Sequence, residues 1–177
     1  MVKEGKVRYG GVSNFSVEQM KRIQKIHPIA SLQPPYSMVN RGIEKETLPF
    51  CTDNQIGVIA YSPMQAGLLT GKMTKERVAA FPTDDWRKGS PDFQEPRLST
   101  ILNLVDALRP IAETKGLPVA TLALIWVLHQ PGVTGAIVGA RRPDQIEETS
   151  QTMELVLTEE EWAAVNARVA ECERQLA

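Results

Sequence analysis

The chain has 177 residues, 42% of them hydrophobic and 23% charged, a composition that excludes disordered, collagenous and supercharged classes. One domain over residues 1–177 is expected, long enough to bury roughly two-thirds of the surface its unfolded chain exposes. Lysine plus arginine (20) nearly balance aspartate plus glutamate (21), so no global field recruits nucleic acid or an anionic bilayer, and any phosphate must be held locally.

In chain order, residues 7–14 (VRYGGVSN) predict a short strand. Ser16 then N-caps a helix to about residue 27, and Gln19 three positions on completes a capping-box pattern. Residues 30–36 read as a weaker strand interrupted by Pro34 and Pro35, followed by a helix over about 43–55. Residues 56–61 (IGVIAY) form a continuous apolar run, the pattern of a parallel strand covered on both faces. A stretch rich in Gly, Pro and Asp runs over 62–96; it is too long for a simple connector and is expected to be functional or mobile. Helical periodicity returns over 99–115 and restarts over 117–128, with Pro118 suited to the first turn and Trp126 expected to be packed. Residues 133–138 predict a fourth strand and 143–152 a helix. A last helix over about 159–173 follows the capping box Thr158 to Glu161. The order is that of four βα units, an α/β fold.

Cys51 and Cys172 lie far apart, in no CxxC or Cys/His spacing, which argues against a disulfide framework or structural zinc and for a reducing, cytoplasmic compartment. No segment has the length of apolar residues that spans a bilayer, and the residues after Met1 lack the apolar core of a leader.

Four segments, GKVRYGGVSNFS, SLQPPYSMVNR, GVIAYSPMQAGLLTGK and AIVGARRPDQIEET, in this order and at these intervals, closely resemble the C-terminal half of the aldo-keto reductases. The resemblance covers residues 1 to about 165. It implies half of a (β/α)8 TIM barrel, with four parallel strands matching barrel strands five to eight and flanking helices, since a full barrel takes about 250 residues. It also implies NADP(H) as cofactor and carbonyl-to-alcohol reduction as the reaction. The family's Asp, Tyr, Lys, His tetrad belongs to the first half of the barrel, so no catalytic residue is assigned here. His27 and His129 are read as structural, and the tyrosines are Tyr9, Tyr36 and Tyr61.

What remains is the cofactor side. Tyr61 ends the strongest strand, where its ring suits stacking on a flat heterocycle; the resemblance sets it against the nicotinamide. Ser62, Pro63 and the run Gly67, Leu68, Leu69, Thr70, Gly71, Lys72 follow, offering backbone amides and a cation to a pyrophosphate, although such a run is also an ordinary turn. By resemblance, Ser13, Asn14 and Gln33 bond the carboxamide; read alone, the first two are a helix-entry turn and Gln33 a tie across the barrel. Gly139, Ala140, Arg141 and Arg142 precede a helix N-terminus, where free amides and the dipole attract anions. In the family this loop grips the adenosine 2′-phosphate, so the two arginines imply NADP(H) rather than NAD(H). Gln145 matches a position near that phosphate and Glu148 one facing the adenosine, whereas Thr149 stands where asparagine is usual. No metal is implied. Trp86, in the long segment, is a candidate wall of the carbonyl pocket.

Three functional classes follow: an oxidoreductase whose other half carries the chemistry, a non-catalytic NADP(H)-binding module, and a half-barrel interaction protein. A small carbonyl substrate is expected only where the missing half is supplied, with neither nucleic acid nor membrane as partner. The half-barrel would expose two strand edges and apolar inner faces, which a homodimer or a complementary half would cover.

Overall fold

A computed structural model describes residues 1–150, 152 and 155–176. They form two compact units, Met1–Pro63 with Val127–Gly139 and Met64–Trp126 with Ala140–Ala177.

The first unit is built on a parallel sheet of four short strands, β1 (Gly11–Ser13), β2 (Ser31–Gln33), β3 (Gly57–Ala60) and β4 (Val133–Ala136), in sequential order. Val12 lies beside Leu32, Leu32 beside Val58 and Val58 beside Val133, so these four side chains share a face. That face meets Met20 of α1 (Val17–Gln24) and Leu48 and Cys51 of α2 (Thr47–Asp53) in one apolar cluster. The opposite face carries Gly11, Ser13, Ser31, Gln33, Gly57 and Ile59, most of them small or polar. The apolar inner face expected from sequence is therefore not what these strands present. Strand spacing is also tight there, because a Cβ built on Gly11 would lie 2.4 Å from Ser31 Oγ.

Every strand is shorter than its sequence pattern. Ahead of Gly11, the Gly10 carbonyl takes one bond from the Ala30 amide (2.8 Å), and Tyr9 stands 79% exposed. β2 stops at Gln33 because Pro34 has no N–H to continue the ladder. In β3, Val58 and Ala60 are fully buried but Ile59 only partly, so one face, not both, is closed. The register of β3 and β4 shifts between Val58 and Ile59, where the Val58 amide donates instead to Thr134 Oγ1 (3.2 Å).

The helix expected over 43–55 begins only at Thr47, after a 3-10 turn at Gly42–Glu44, since Pro49 lacks the amide that an earlier start would use. The α1 capping box is present: Gln19 N–H donates to Ser16 Oγ (3.2 Å) and Ser16 N–H to Gln19 Oε1 (2.9 Å). After β2, the fully buried Tyr36 donates its hydroxyl to Glu44 (2.7 Å), which Arg41 also grips through Nε (2.8 Å) and Nη2 (2.7 Å). Burial, with the Glu44 hydrogen bond and charge, pushes the Tyr36 phenol far above its ordinary range. Burial alone would raise the Glu44 carboxyl, but the Arg41 and Tyr36 hydrogen bonds and the Arg41 charge outweigh it and hold the group below its ordinary value.

The second unit contains α3 (Lys75–Ala79), α4 (Arg97–Thr114), most of α5 (Val119–Leu128), α6 (Pro143–Ser150) and α7 (Glu159–Leu176). Leu98, Ile101, Leu104, Val105, Leu108 and Ala112 recur at helical spacing along the buried stripe of α4, which packs on α7, where Val165, Val169 and Cys172 are buried. α5 is apolar all round and buried from Val119 to Val127; its Trp126 donates through Nε1 to Asn166 of α7 (2.8 Å). The second capping box, with bonds between Thr158 and Glu161 of 2.7 and 3.2 Å, starts α7. The expected helix end at residue 152 lies two positions beyond Ser150. Cys51 and Cys172 are buried free thiols. No single helix among the described residues is long and apolar enough to cross a membrane.

The segment 62–96 is neither a plain loop nor without structure. It holds α3 and 3-10 turns at Gln65–Thr70, Trp86–Gly89 and Pro91–Phe93, and it buries Leu68, Leu69, Met73, Val78, Phe81 and Phe93. Asp92 accepts from Gln65 (2.6 Å) and from Arg97 (2.8 Å), pinning its two ends.

Trp126→Ala is expected to lower unfolding stability by about 3–5 kcal/mol in urea melts, from the lost ring and the cavity it leaves. Because the Glu44 carboxyl is depressed by folding, its contribution is present above the ordinary value of 4.5 and is lost as pH falls through the lower folded value. Glu44→Gln should therefore cost about 1–3 kcal/mol at pH 7 and flatten the acid side of the stability profile.

Candidate functional site

Parallel pairing directs the carboxyl ends of all four strands to one edge of the sheet, the edge where α/β folds place ligands. Ser13 ends β1, Gln33 ends β2 and Tyr61 follows β3. Ser13 and Gln33 are paired in register, and Ser13 Oγ donates to the Gln33 carbonyl (2.8 Å). The Asn14 amide reaches the same carbonyl (3.2 Å), and Tyr61 Oη donates to Asn14 Oδ1 (3.2 Å). Tyr61 is anchored by its backbone, its amide on Pro34 O (2.9 Å) and its carbonyl receiving the Tyr36 amide (3.1 Å). Four of the expected residues are thus brought together. Asn14 keeps its amide NH2, and the exposed Gln33 side chain both a donor and an acceptor, for a ligand carboxamide.

The backbone is strained at the same edge. Asn14 has φ 58° and Ser62 φ 54° there; in the second unit, Gln65 is at 46° and Ala66 at 51°. Non-glycine residues in this region cost of order 1–3 kcal/mol each and cluster at ligand sites. Pro63 is buried and Gly139, after β4, is exposed. A Cβ on Gly139 would meet nothing within 4 Å, and its φ is not positive. The surrounding fold therefore makes no demand for glycine there, and a ligand approaching the backbone would.

In the second unit, the Gln65–Thr70 turn is closed by Thr70 Oγ1 donating to the Gly67 carbonyl (2.7 Å) and receiving the Lys72 amide (3.3 Å). Gly71 ends the turn at φ 77°, which a side chain would oppose, and Arg109 donates to its carbonyl (2.8 Å). Leu68 is fully buried and presents no surface to a ligand, whereas Lys72 is exposed. Before α6, the Arg141 amide donates to Gln145 Oε1 (2.7 Å), which fixes the loop. Ala140, Arg141 and Arg142 are exposed.

The two arginines differ. Arg142 is chelated by Asp144 (Nη2 to Oδ2 2.9 Å, Nε to Oδ1 3.0 Å), whereas among the described residues no carboxylate pairs with Arg141. Thr149 spends its hydroxyl on the Gln145 carbonyl of its own helix (2.8 Å), while Glu148, half-buried, lies on the same helix. The sequence reading missed two groups here. Asp144 moderates the basic loop, and Asp85 to Arg87 line a cleft with Ala66 and Arg141. An arginine and an aspartate two positions apart, at Asp85 and Arg87 and again at Arg142 and Asp144, were the available signal. His27 is exposed, with Nδ1 2.8 Å from the Pro28 carbonyl, and His129 is exposed. Among the described residues no group of three His, Cys, Asp or Glu side chains could hold a metal.

Residues 1–170 match the model of the aldo/keto reductase family. The chain is 42% identical over 163 residues to the aldo-keto reductase YhdN of Bacillus subtilis (strain 168), covering 92% of this chain and 49% of that one. It is 35% identical over 176 residues to the aldo-keto reductase str7 of Strobilurus tenacellus, covering 98% and 52% respectively. A solved glycerol dehydrogenase from Gluconobacter oxydans superposes with a TM-score of 0.87 at 40% identity, over 96% of this chain and 51% of that one. The chain spans about half the length of the curated relatives it matches. With parallel strands in sequential order and the strand-end cluster in place, this match over nearly the whole chain shows that the protein belongs to the aldo/keto reductase family.

Proposed function

We propose that this chain is the cofactor-binding half of an NADP(H)-dependent carbonyl reductase. Its four strands act as strands five to eight of a (β/α)8 barrel, and it works in the cytoplasm. The observation that carries this reading is the convergence of Ser13, Asn14, Gln33 and Tyr61 at the carboxyl edge of the sheet. Those groups suit a nicotinamide: hydroxyl and amides for the carboxamide, and an aromatic ring for the heterocycle. Lys72 and the backbone of Gly67, Thr70 and Gly71 suit the pyrophosphate, and the loop of Gly139, Ala140, Arg141, Arg142 and Gln145 suits the 2′-phosphate, with Glu148 and Thr149 flanking the adenosine. When bound, the nicotinamide supplies the hydride chemistry. The chain's own residues bind and orient it, and the proton donor and alkoxide-stabilising groups belong to the complementary half. That half, or a second copy, covers the edges at β1 and β4, and the carbonyl substrate enters only with it.

In fluorescence or calorimetric titration NADPH should bind about tenfold more tightly than NADH, the scale of one charge-assisted hydrogen bond. Arg141→Ala should remove most of that preference and Arg142→Ala less, because Asp144 already occupies the second guanidinium. Equal affinities would overturn the NADP(H) assignment. The chain alone should not reduce 4-nitrobenzaldehyde with NADPH, since proton donation and oxyanion stabilisation each supply orders of magnitude in rate. Steady NADPH oxidation that tracks the purified chain would show that it carries its own proton donor.

A further inference from the structure

The ordered segment after β3 leaves one large aromatic side chain in water. Trp86 is 69% exposed, yet its backbone is held firmly. It opens the 3-10 turn Trp86–Gly89, which Asp85 caps by accepting the Arg87 amide (3.0 Å). Arg87 then returns two guanidinium bonds to Asp85, through Nη2 (2.6 Å) and Nε (3.0 Å). Its planar head lies 3.9 Å from the centroid of Phe81, whose ring meets Phe93 at 5.8 Å. Trp86 is thus a flat apolar face on a turn immobilised from behind.

The cleft that this face borders has a volume of about 390 Å³ and is lined by Ala66, Asp85, Trp86, Arg87 and Arg141. Charges within it do not cancel. Arg87 is matched by Asp85, while Arg141 has no carboxylate partner among the described residues. One flat ring beside one uncompensated guanidinium is the chemistry that recognises a planar base carrying a phosphate. A neutral carbonyl substrate would make no use of the cation, so the neighbourhood of Arg141 favours a phosphate-bearing ligand at Trp86 over the carbonyl pocket of which it is a candidate wall by sequence.

We infer that Trp86 stacks on the purine of the bound dinucleotide while Arg141 holds its 2′-phosphate. The inference rests on the NADP(H) reading above and adds a stacking residue to it. Ala66, at φ 51°, also lines the cleft, and the Asp85–Arg87 pair fixes the turn that carries Trp86.

The test titrates the full chain with adenosine 2′,5′-bisphosphate and, separately, with nicotinamide mononucleotide, reading tryptophan emission and heat. Trp126 is buried at 1% exposure and Trp162 is only partly exposed, so quenching by a base stacked on Trp86 is separable by Trp86→Phe. The expected result is saturable quenching by the bisphosphate that Trp86→Phe abolishes. Trp86→Ala should weaken binding by heat roughly five- to a hundredfold, the range for base–aromatic stacking. Being exposed, Trp86 can be replaced without loss of the core, and unchanged melting of both variants checks this. Wild-type affinity in Trp86→Ala, alongside a loss in Arg141→Ala, would overturn the stacking role and leave the dinucleotide reading standing. Quenching by the mononucleotide but not by the bisphosphate would assign Trp86 to the nicotinamide end and overturn the inference. No saturable binding of either fragment or of NADPH would overturn both readings.

Discussion

Parallel pairing in register is the constraint on which the rest depends. With β1 to β4 running the same way, each strand delivers its last residue to a common edge, and three separate segments of sequence meet there without long side chains having to reach. Ser13, Asn14, Gln33 and Tyr61 then need only short hydrogen bonds to one another and to the backbone. Such bonds fix orientation while leaving ligand-facing donors and acceptors unspent. An antiparallel arrangement of the same strands would have divided these residues between two edges.

A second organising feature is the way charge is distributed in the other unit. Its basic side chains are mostly neutralised at close range: Arg87 by Asp85, Arg97 by Asp92, Arg142 by Asp144. Arg87 holds the Asp85 carboxyl down at about 2, so this pair stays ionised through the physiological range. Surface pairs of this kind add little stability. Their effect is selective, since they leave Arg141, with Lys72, Arg77, Lys88 and Arg168, outside any ion pair among the described residues.

Much of the secondary structure in both units was legible because its signals are local. The alternation of βα units, both capping boxes and the burial of Trp126 follow from spacing within a few residues, and all are present. Strand length was not legible, since the ends of β1 and β2 are decided by where a neighbour or a proline stops the ladder. The interior of 62–96 was hidden for a different reason. Phe81, Arg87, Phe93 and Asp92 cohere through ring, cation and carboxylate contacts that carry no period. At the site, residue types were readable but commitments were not: nothing in GARRPDQ shows that Asp144 engages one arginine and leaves the other.

The closeness of β1 and β2 at Gly11 reaches beyond packing. Because the space a methyl at position 11 would need is already filled by the hydroxyl of Ser31, the two positions share a single allotment of volume. Enlarging position 11 requires Ser31 to turn its hydroxyl aside or to shrink first, which biases the order in which substitutions arise. Changes at positions 11 and 31 are therefore expected to be correlated rather than independent.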